Sequence, residues 1–378
     1  MRRDRQIALI ERLLGVLGKG PEATCREGTV DVDRYTSPER LDAEKRILFR
    51  QRPIIVGRAS DVAEGGDFFT HDSAGVPLLV TRDNGGRVHA MLNVCRHRGT
   101  RLVTETSGNA KSFVCPYHAW TYDLCGQLGH VPLSRCFPTL ERDESSLVEL
   151  PCQVRHGFIW VVPRVSRTPL NVAEWLGDFD EDFTAFDLEH HIVLAKSESV
   201  RRANWKLVMD AFLEGYHVKS LHQRTLSRFF AEDVVVDFQN VHARSVGARR
   251  NLPEIQNTPK DAWSVRTSTT VFYNLFPNSI LVFHPETVSH IALFPKSIDE
   301  VIFEHTMLGP PDAADWEKTW ELIDQKVFAQ EDLVIAESIQ SVLHADAQPT
   351  FRLGSLEHAI RVFHDAIDEA IEGGDMRS

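Results

Sequence analysis

NVCRHRGTRLVTETSGNAKSFVCPYHAWTYD, residues 93–123, carries Cys95 and His97 as C-x-H and, seventeen residues later, Cys115 and His118 as C-x2-H. Two loops that each offer one thiolate and one imidazole suit a two-iron cluster held asymmetrically, with cysteines on one iron and histidines on the other. Replacing two anionic thiolates by neutral imidazoles makes such a cluster less negative, which raises its potential into a range of about −150 to +300 mV. Gly99 can turn the chain after the first pair, and Pro116 stiffens the second. A structural zinc also accepts two cysteines and two histidines, but its knuckles usually open with paired cysteines.

Outward from these loops, residues 53–163 read as short β-rich runs: PIIVG, VPLLVTR, HAMLNV, KSFVCP and FIWVVP. Turns such as Asp83-Asn84-Gly85-Gly86 separate them, the texture of a small all-β domain. Residues 1–52 read as N-terminal helices packing on the remainder, with Ile7, Ile10, Leu14 and Leu17 on one face before Gly18 and Gly20. Residues 164–378 mix helices with strands at SVRTSTTVFYNLF, NSILVFH, SHIALFP and EVIFEHTML, then a long helical stretch from Ala313 to Ala345. A last helix places Leu356, Ile360, Phe363, Ile367 and Ile371 on one face before Gly373 and Gly374. Strands followed by helices point to an α+β catalytic domain rather than a doubly wound one.

The chain's 42 Lys+Arg against 54 Asp+Glu give a net charge of −12, which disfavours a general nucleic-acid or anionic-membrane role. Glu11 and Arg12 interrupt any apolar leader, and no uninterrupted run of about 18 apolar residues occurs, so a cytoplasmic protein is expected. In a reducing compartment Cys25, Cys125, Cys136 and Cys152 read as buried small hydrophobes rather than disulfides. No G-x-G-x-x-G signal is found, so no nucleotide cofactor of its own is expected.

A second metal site emerges from NWKLVMDAFLEGYHVKSLH, residues 204–222, which reads as a helix capped by Asn204. Trp205, Met209, Phe212 and Tyr216 form an apolar stripe, and Asp210, Glu214 and His217 share an arc of about 60° on another face. His222 lies about 140° round from His217, so the two rings converge only if the helix breaks, and the break is expected near Val218–Leu221. On the long helix, Phe328, Ile335, Ile339, Val342 and Leu343 mark a buried face from which Asp332 projects, with Glu331 at its edge. A buried carboxylate is costly unless paired or bound to metal. Two histidines and one aspartate make the facial triad that leaves non-haem Fe(II) with open positions.

Both motifs, in this order, resemble the catalytic α subunits of Rieske non-haem iron oxygenases, the ring-hydroxylating oxygenases. CRHRGTRL, CPYHAWTYDLCGQL, NWKLVMDAFLEGYHVKSLH, LFPNSILVF and FAQEDLVIAESIQ carry the likeness across nearly the whole chain. The resemblance implies an all-β Rieske domain inserted before a helix-grip catalytic domain, with a [2Fe-2S] cluster and Fe(II) at His217, His222 and Asp332. It also implies a head-to-tail homotrimer, with or without a small β subunit, in which cluster and iron work across a subunit boundary. Glu214 then stands where a carboxylate connects His217 to His118 of the adjacent chain. Many ring dioxygenases have aspartate at this bridge; glutamate resembles a broader set that includes oxygenases of quaternary ammonium compounds.

The expected function is therefore a terminal oxygenase using O2 and NAD(P)H-derived electrons, delivered by a separate ferredoxin or flavin reductase, to hydroxylate a small organic substrate, in the first instance an aromatic one. Mono-oxygenation of a choline, betaine or carnitine type compound is the alternative. A pure electron carrier and a zinc-stabilised binding protein are the readings from other classes; more than 200 residues beyond the β domain disfavour the first. Asp210 is expected to take part with Glu214 in catalysis. Val208, Phe212, Leu213, Phe272, Phe276 and Phe283 are candidates for an apolar pocket, and Arg96, Arg98 and Arg101 for an acidic donor's landing site or for local pairing with Glu105.

Overall fold

The computed structural model describes residues 1–375 apart from Pro21, Ala23, Ala74 and Asp346. The chain forms two compact units: Lys45–Trp175, and a second assembled from Met1–Glu44 with Leu176–Ser378.

In the first unit every β-rich run named above becomes a strand. A five-stranded antiparallel sheet orders Glu149–Leu150, Val88–Leu92, Leu78–Arg82, Asp67–His71 and Ser107–Asn109. Two three-stranded sheets, one of Cys152–Arg155, Phe158–Val161 and Ile54–Arg58 and one of Phe113–Val114, Thr121–Tyr122 and Leu128–His130, complete it. The central strands are buried over most of their length, and Phe68, Leu79, Met91, Trp120 and Tyr122 pack into one core with Cys95 and Cys115.

The second unit is built on a seven-stranded antiparallel sheet. In chain order its strands are β1 (Ile192–Arg201), β2 (Phe230–Gln239), β3 (His242–Arg249), β4 (Thr269–Leu275), β5 (Ser279–Phe283), β6 (Val288–Pro295) and β7 (Val301–Gly309), arranged β1-β7-β6-β5-β4-β3-β2. Strands β5 and β6 are buried along their whole length, because both faces of the sheet centre are covered. The edge strand β1 is half exposed throughout. This is the expected α+β architecture of antiparallel sheet plus helices. SVRTSTTVFYNLF splits, however: Val265–Ser268 is a helical turn capped by the Ser264 hydroxyl, and the strand starts at Thr269.

Three helical segments position the site. Trp205–Phe212 is capped as expected, the Asn204 side chain accepting from the Lys206 backbone amide at 3.0 Å. Its first turn is pinned by Glu44, whose carboxylate accepts from Lys206 Nζ at 2.7 Å and Trp205 Nε1 at 2.8 Å, all fully buried. The long helical run spans Trp316–Ala345, with wide π-type turns over Glu321–Asp332 and a regular helix over Leu333–Val342. The last helix, His358–Asp375, continues through Gly373 and Gly374 instead of stopping at them. At the N-terminus, Arg3–Val16 buries Leu9, Ile10 and Leu13, a face rotated from the one the periodicity suggested. Among the described residues no helix is long and apolar enough to cross a membrane.

Candidate functional site

The two loops of residues 95–100 and 115–120 are built alike. In each, the cysteine amide donates to the carbonyl five residues on, Cys95 to Thr100 and Cys115 to Trp120, both at 2.8 Å. The amide of the fifth residue returns to the cysteine carbonyl, Gly99 to Cys95 and Ala119 to Cys115, both at 2.9 Å. That closure needs a left-handed residue at the fifth position: Gly99 has φ +74° and Ala119 φ +56°. Alanine there costs about 1–2 kcal/mol relative to the right-handed region, so the loop geometry overrides a local preference.

These loops bury both thiols, with Cys95 1% and Cys115 2% exposed, and hold the imidazoles closer to the surface. The His97 and His118 rings meet edge-on with centroids 4.6 Å apart, and His97 stacks on Trp120 at 4.8 Å. The Nδ1 atoms of both histidines are buried without a hydrogen-bond partner. Burial pushes the Cys95 thiol pKa up, opposed by the Tyr122 hydroxyl 3.4 Å from its sulfur. Two buried thiols and two orphaned imidazole nitrogens are a donor set that fits an iron–sulfur cluster and leaves it incomplete without one. Around the loops Arg101 pairs with Asp72 at 2.8 Å rather than with Glu105, Arg98 donates to the Tyr117 hydroxyl, and Arg96 reaches the Glu144 carbonyl.

The second site forms where the helix Trp205–Phe212 ends. Residues 213–217 leave the helix and Val218–Leu221 is a separate helical turn, so the break lies upstream of the expected one. Tyr216, expected on the apolar stripe, falls in the break and is 68% exposed. The early break turns His217 and His222 toward each other, with ring centroids 5.0 Å apart. Asp332, at the last wide π-type turn of the long helical run, comes to meet them. Its Oδ1 lies 3.0 Å from His222 Nε2 and 3.7 Å from His217 Nε2. One donor atom from each of the three lies within 4.8 Å of the others.

The remaining ring nitrogens are held by two glutamates. His217 Nδ1 is hydrogen-bonded to Glu214 Oε1, and His222 Nδ1 to Glu331 Oε2 at 2.6 Å. The Thr225 hydroxyl donates to the same Glu331 oxygen at 2.7 Å. Both imidazoles are thereby oriented with Nε2 toward one point, the arrangement in which a carboxylate fixes the tautomer of a metal-ligating histidine. Burial works against charge on His222, but Asp332 and Glu331 outweigh it and raise its pKa. Glu331 was weighed as a rival of Asp332 in the sequence; in the fold it grips a histidine from behind.

Asp210 stands one turn before the break. Its carboxylate accepts from the Tyr35 hydroxyl at 2.6 Å and approaches His364 Nε2 at 3.1 Å. Glu357 sits nearby, its pKa raised by burial and by the charges of Glu214 and Asp210. Neither Tyr35 nor His364 carries a local sequence signal, because each reaches the site from a distant segment.

His217 and Asp332 separate two cavities. One, of about 640 Å³, is lined by Tyr35, Asp210, Glu214, Ile335, Ile339 and Val342. Of the face of the long helix expected to be buried, Phe328 and Leu343 are buried, but Ile335, Ile339 and Val342 are exposed and open onto this cavity, while Leu333 and Gln340 are buried. The other, of about 100 Å³, is bounded by Phe212, Leu213, His222, Phe230, Phe272 and Phe328. Of the pocket candidates, Phe212, Leu213 and Phe272 line it, whereas Val208, Phe276 and Phe283 are buried core.

Comparison with known proteins agrees with this arrangement. Residues 52–141 match the Rieske [2Fe-2S] domain family, and residues 185–373 the family described as ring hydroxylating alpha subunit (catalytic domain). The chain is 31% identical to the chloroplastic choline monooxygenase of Atriplex hortensis over 342 residues, 87% of this chain and 75% of that protein. It is 31% identical to the large subunit of anthranilate 1,2-dioxygenase from Acinetobacter baylyi over 205 residues, 52% of this chain and 42% of that one. In fold it resembles the quaternary ammonium Rieske monooxygenase CntA in complex with L-carnitine, with a TM-score of 0.77 at 22% identity, covering 92% of this chain and 96% of that chain. The chain is a Rieske non-haem iron oxygenase α subunit, a terminal oxygenase of the family that carries a [2Fe-2S] cluster and mononuclear Fe(II).

Proposed function

We propose that the protein mono-oxygenates a small quaternary ammonium compound. The observation that carries this reading is the ring of four phenylalanines, Phe212, Phe230, Phe272 and Phe328, around the cavity beside His222 and Asp332. Aromatic faces attract a methylated ammonium group through the ring quadrupole and exclude water, and Glu232, which also borders the cavity, is paired with Lys219. The likeness to choline monooxygenase over most of the chain supports the same substrate class. Oxidation of an aromatic acid is the second reading, favoured by the anthranilate dioxygenase relative and by the same phenylalanine walls.

In this proposal Cys95, His97, Cys115 and His118 hold the cluster, and His217, His222 and Asp332 hold the iron. When bound, the two centres supply electron storage and dioxygen activation. The chain's own residues do the rest. Glu214 and Glu331 fix the two imidazoles, the phenylalanines hold the substrate carbon near the open side of the triad, and apolar walls keep that side dry. Glu214 reaches the larger cavity, whose exposed Ile335, Ile339 and Val342 supply the apolar face on which the cluster unit of a neighbouring subunit would pack in a head-to-tail trimer. A separate ferredoxin or reductase would deliver electrons to the cluster.

The test is anaerobic reconstitution with iron, followed by oxygen-dependent turnover with a surrogate reductase on choline, glycine betaine and L-carnitine against benzoate and anthranilate. Formaldehyde or an aldehyde from the ammonium compounds alone supports the reading; diol formation from the aromatic acids alone replaces it with the second.

A further inference from the structure

Beyond the phenylalanine-lined cavity lies a second chamber of about 190 Å³, which shares Phe212, Leu226, Phe230, Phe272, Val327 and Phe328 with it as a common wall. Its lining is mostly apolar, with Thr270, His284 and Thr319 as its neutral polar residues, and Arg249 enters it from the end of β3. Arg249 pairs across the strands with Phe230, lies over that ring at 5.9 Å, and donates Nε to the Thr270 hydroxyl at 3.1 Å. Among the described residues its two terminal amino groups have no hydrogen bond or ion pair.

Three other partly buried arginines of this unit have partners for their terminal amino groups. Arg244 meets Asp182 and Asp237, Arg201 grips Glu337 with two bonds, and Arg266 donates to the carbonyls of His284 and Thr287. The neighbouring His284 adds no charge of its own: burial drops its pKa to about 3, which keeps the ring neutral, and its Nε2 is hydrogen-bonded to the Ser289 hydroxyl. Burial also lowers the Arg249 pKa, with no anion opposing it. A half-buried guanidinium held at its Nε, stacked on a ring, and presenting two free amino groups to an apolar chamber is arranged to accept a planar anion through paired hydrogen bonds.

We propose that Arg249 is the specificity-determining residue that binds a carboxylate on the substrate, so that the protein acts on small organic acids and not on neutral or purely cationic compounds. The carbon chain crosses the phenylalanine wall, and the end remote from the carboxylate faces the triad. Within the ammonium reading on which this rests, the substrate is a betaine, zwitterionic by its own chemistry: the phenylalanines take the ammonium end and Arg249 the carboxylate. An aromatic acid would satisfy Arg249 equally, and the experiment separates the two sources.

Holoenzyme is titrated with matched pairs that differ in the carboxylate, glycine betaine against choline and benzoate against benzyl alcohol, with binding read from the EPR spectrum of the ferrous nitrosyl complex. The Arg249→Gln and Arg249→Lys variants follow. Preference for the acid in at least one pair, with affinity for it reduced about tenfold to a hundredfold in Arg249→Gln, partly restored in Arg249→Lys, and unchanged cluster spectrum and iron content, is the expected result. Equal or better binding of the partner lacking the carboxylate in both pairs, or an acid affinity unmoved by Arg249→Gln, overturns the proposal. Choline binding with no betaine binding overturns it while the ammonium reading stands. Benzoate binding that depends on Arg249, without betaine binding, upholds it while that reading falls. If Arg249→Gln loses iron or cluster, the wild-type preference within the pairs decides alone.

Discussion

The two metal-binding regions differ in how far apart in sequence their donors lie. The cluster donors come from two like loops within one short stretch, and each loop is closed by its own backbone hydrogen bonds. The mononuclear site takes His217 and His222 from a broken helix and Asp332 from a helix more than a hundred residues on, and it is held by side chains: Glu214, Glu331 and Thr225. A locally closed site tolerates change elsewhere in the chain, whereas a site assembled from distant elements depends on the packing that brings them together.

The largest expected effect isolates the two regions. Cys115→Ser should remove the cluster's visible absorption and its EPR signal and abolish turnover, yet leave close to one iron bound per chain at the triad; metal analysis and EPR check both halves. Loss of the triad iron as well would mean that the two sites are not independently built.

Glu214→Gln should keep the cluster spectrum and the iron but abolish turnover coupled to it, because in the proposed trimer the Glu214 carboxylate would link His217 to a neighbouring subunit. Unchanged turnover would take Glu214 out of the route.

Glu331→Gln probes the side-chain scaffold and should weaken Fe(II) affinity about tenfold to a hundredfold, the usual cost of losing a carboxylate that orients a metal-bound histidine. The same contact sets a pH dependence. His222 has a raised folded-state pKa, so the charged pair with Asp332 stabilises the metal-free protein fully below pH 6.5 and fades as pH rises through the raised value. Iron requires the neutral ring, so Fe(II) uptake should release a proton and tighten with rising pH across that window. Calorimetry in buffers of different ionisation enthalpy measures this.

The smallest effect concerns the two like loops. Gly99→Ala should cost about 1–2 kcal/mol in the cluster unit, and Ala119→Gly should be neutral or stabilise it by up to about 1 kcal/mol, since only the second loop already bears the left-handed penalty. Thermal unfolding followed by cluster absorption compares them. Equal effects of opposite sign would establish that the loops are mechanically equivalent.

Much of the cluster region was legible in sequence because its chemistry is local: spacing, a glycine at the turn, and β-rich runs all act over a few residues. At the iron site, 3.6-residue periodicity correctly placed the Asn204 cap and singled out Asp332. It misplaced the helix break and the environment of Tyr216, Ile335 and Val342, since periodicity says which residues share a face but not what that face meets. The strands β2 and β3 passed unremarked in the sequence, and with them Arg249, whose significance depends entirely on which cavity it enters.

By itself, then, the sequence determined the donor types and the α+β class, because these follow from residue identity and short-range spacing. The tertiary structure alone decided that Glu331 holds His222, that Tyr35 and His364 hold Asp210, and that Arg249, with no carboxylate partner among the described residues, lines the adjoining chamber. Those contacts join segments far apart in the chain, and their strength comes from burial, which no local pattern encodes.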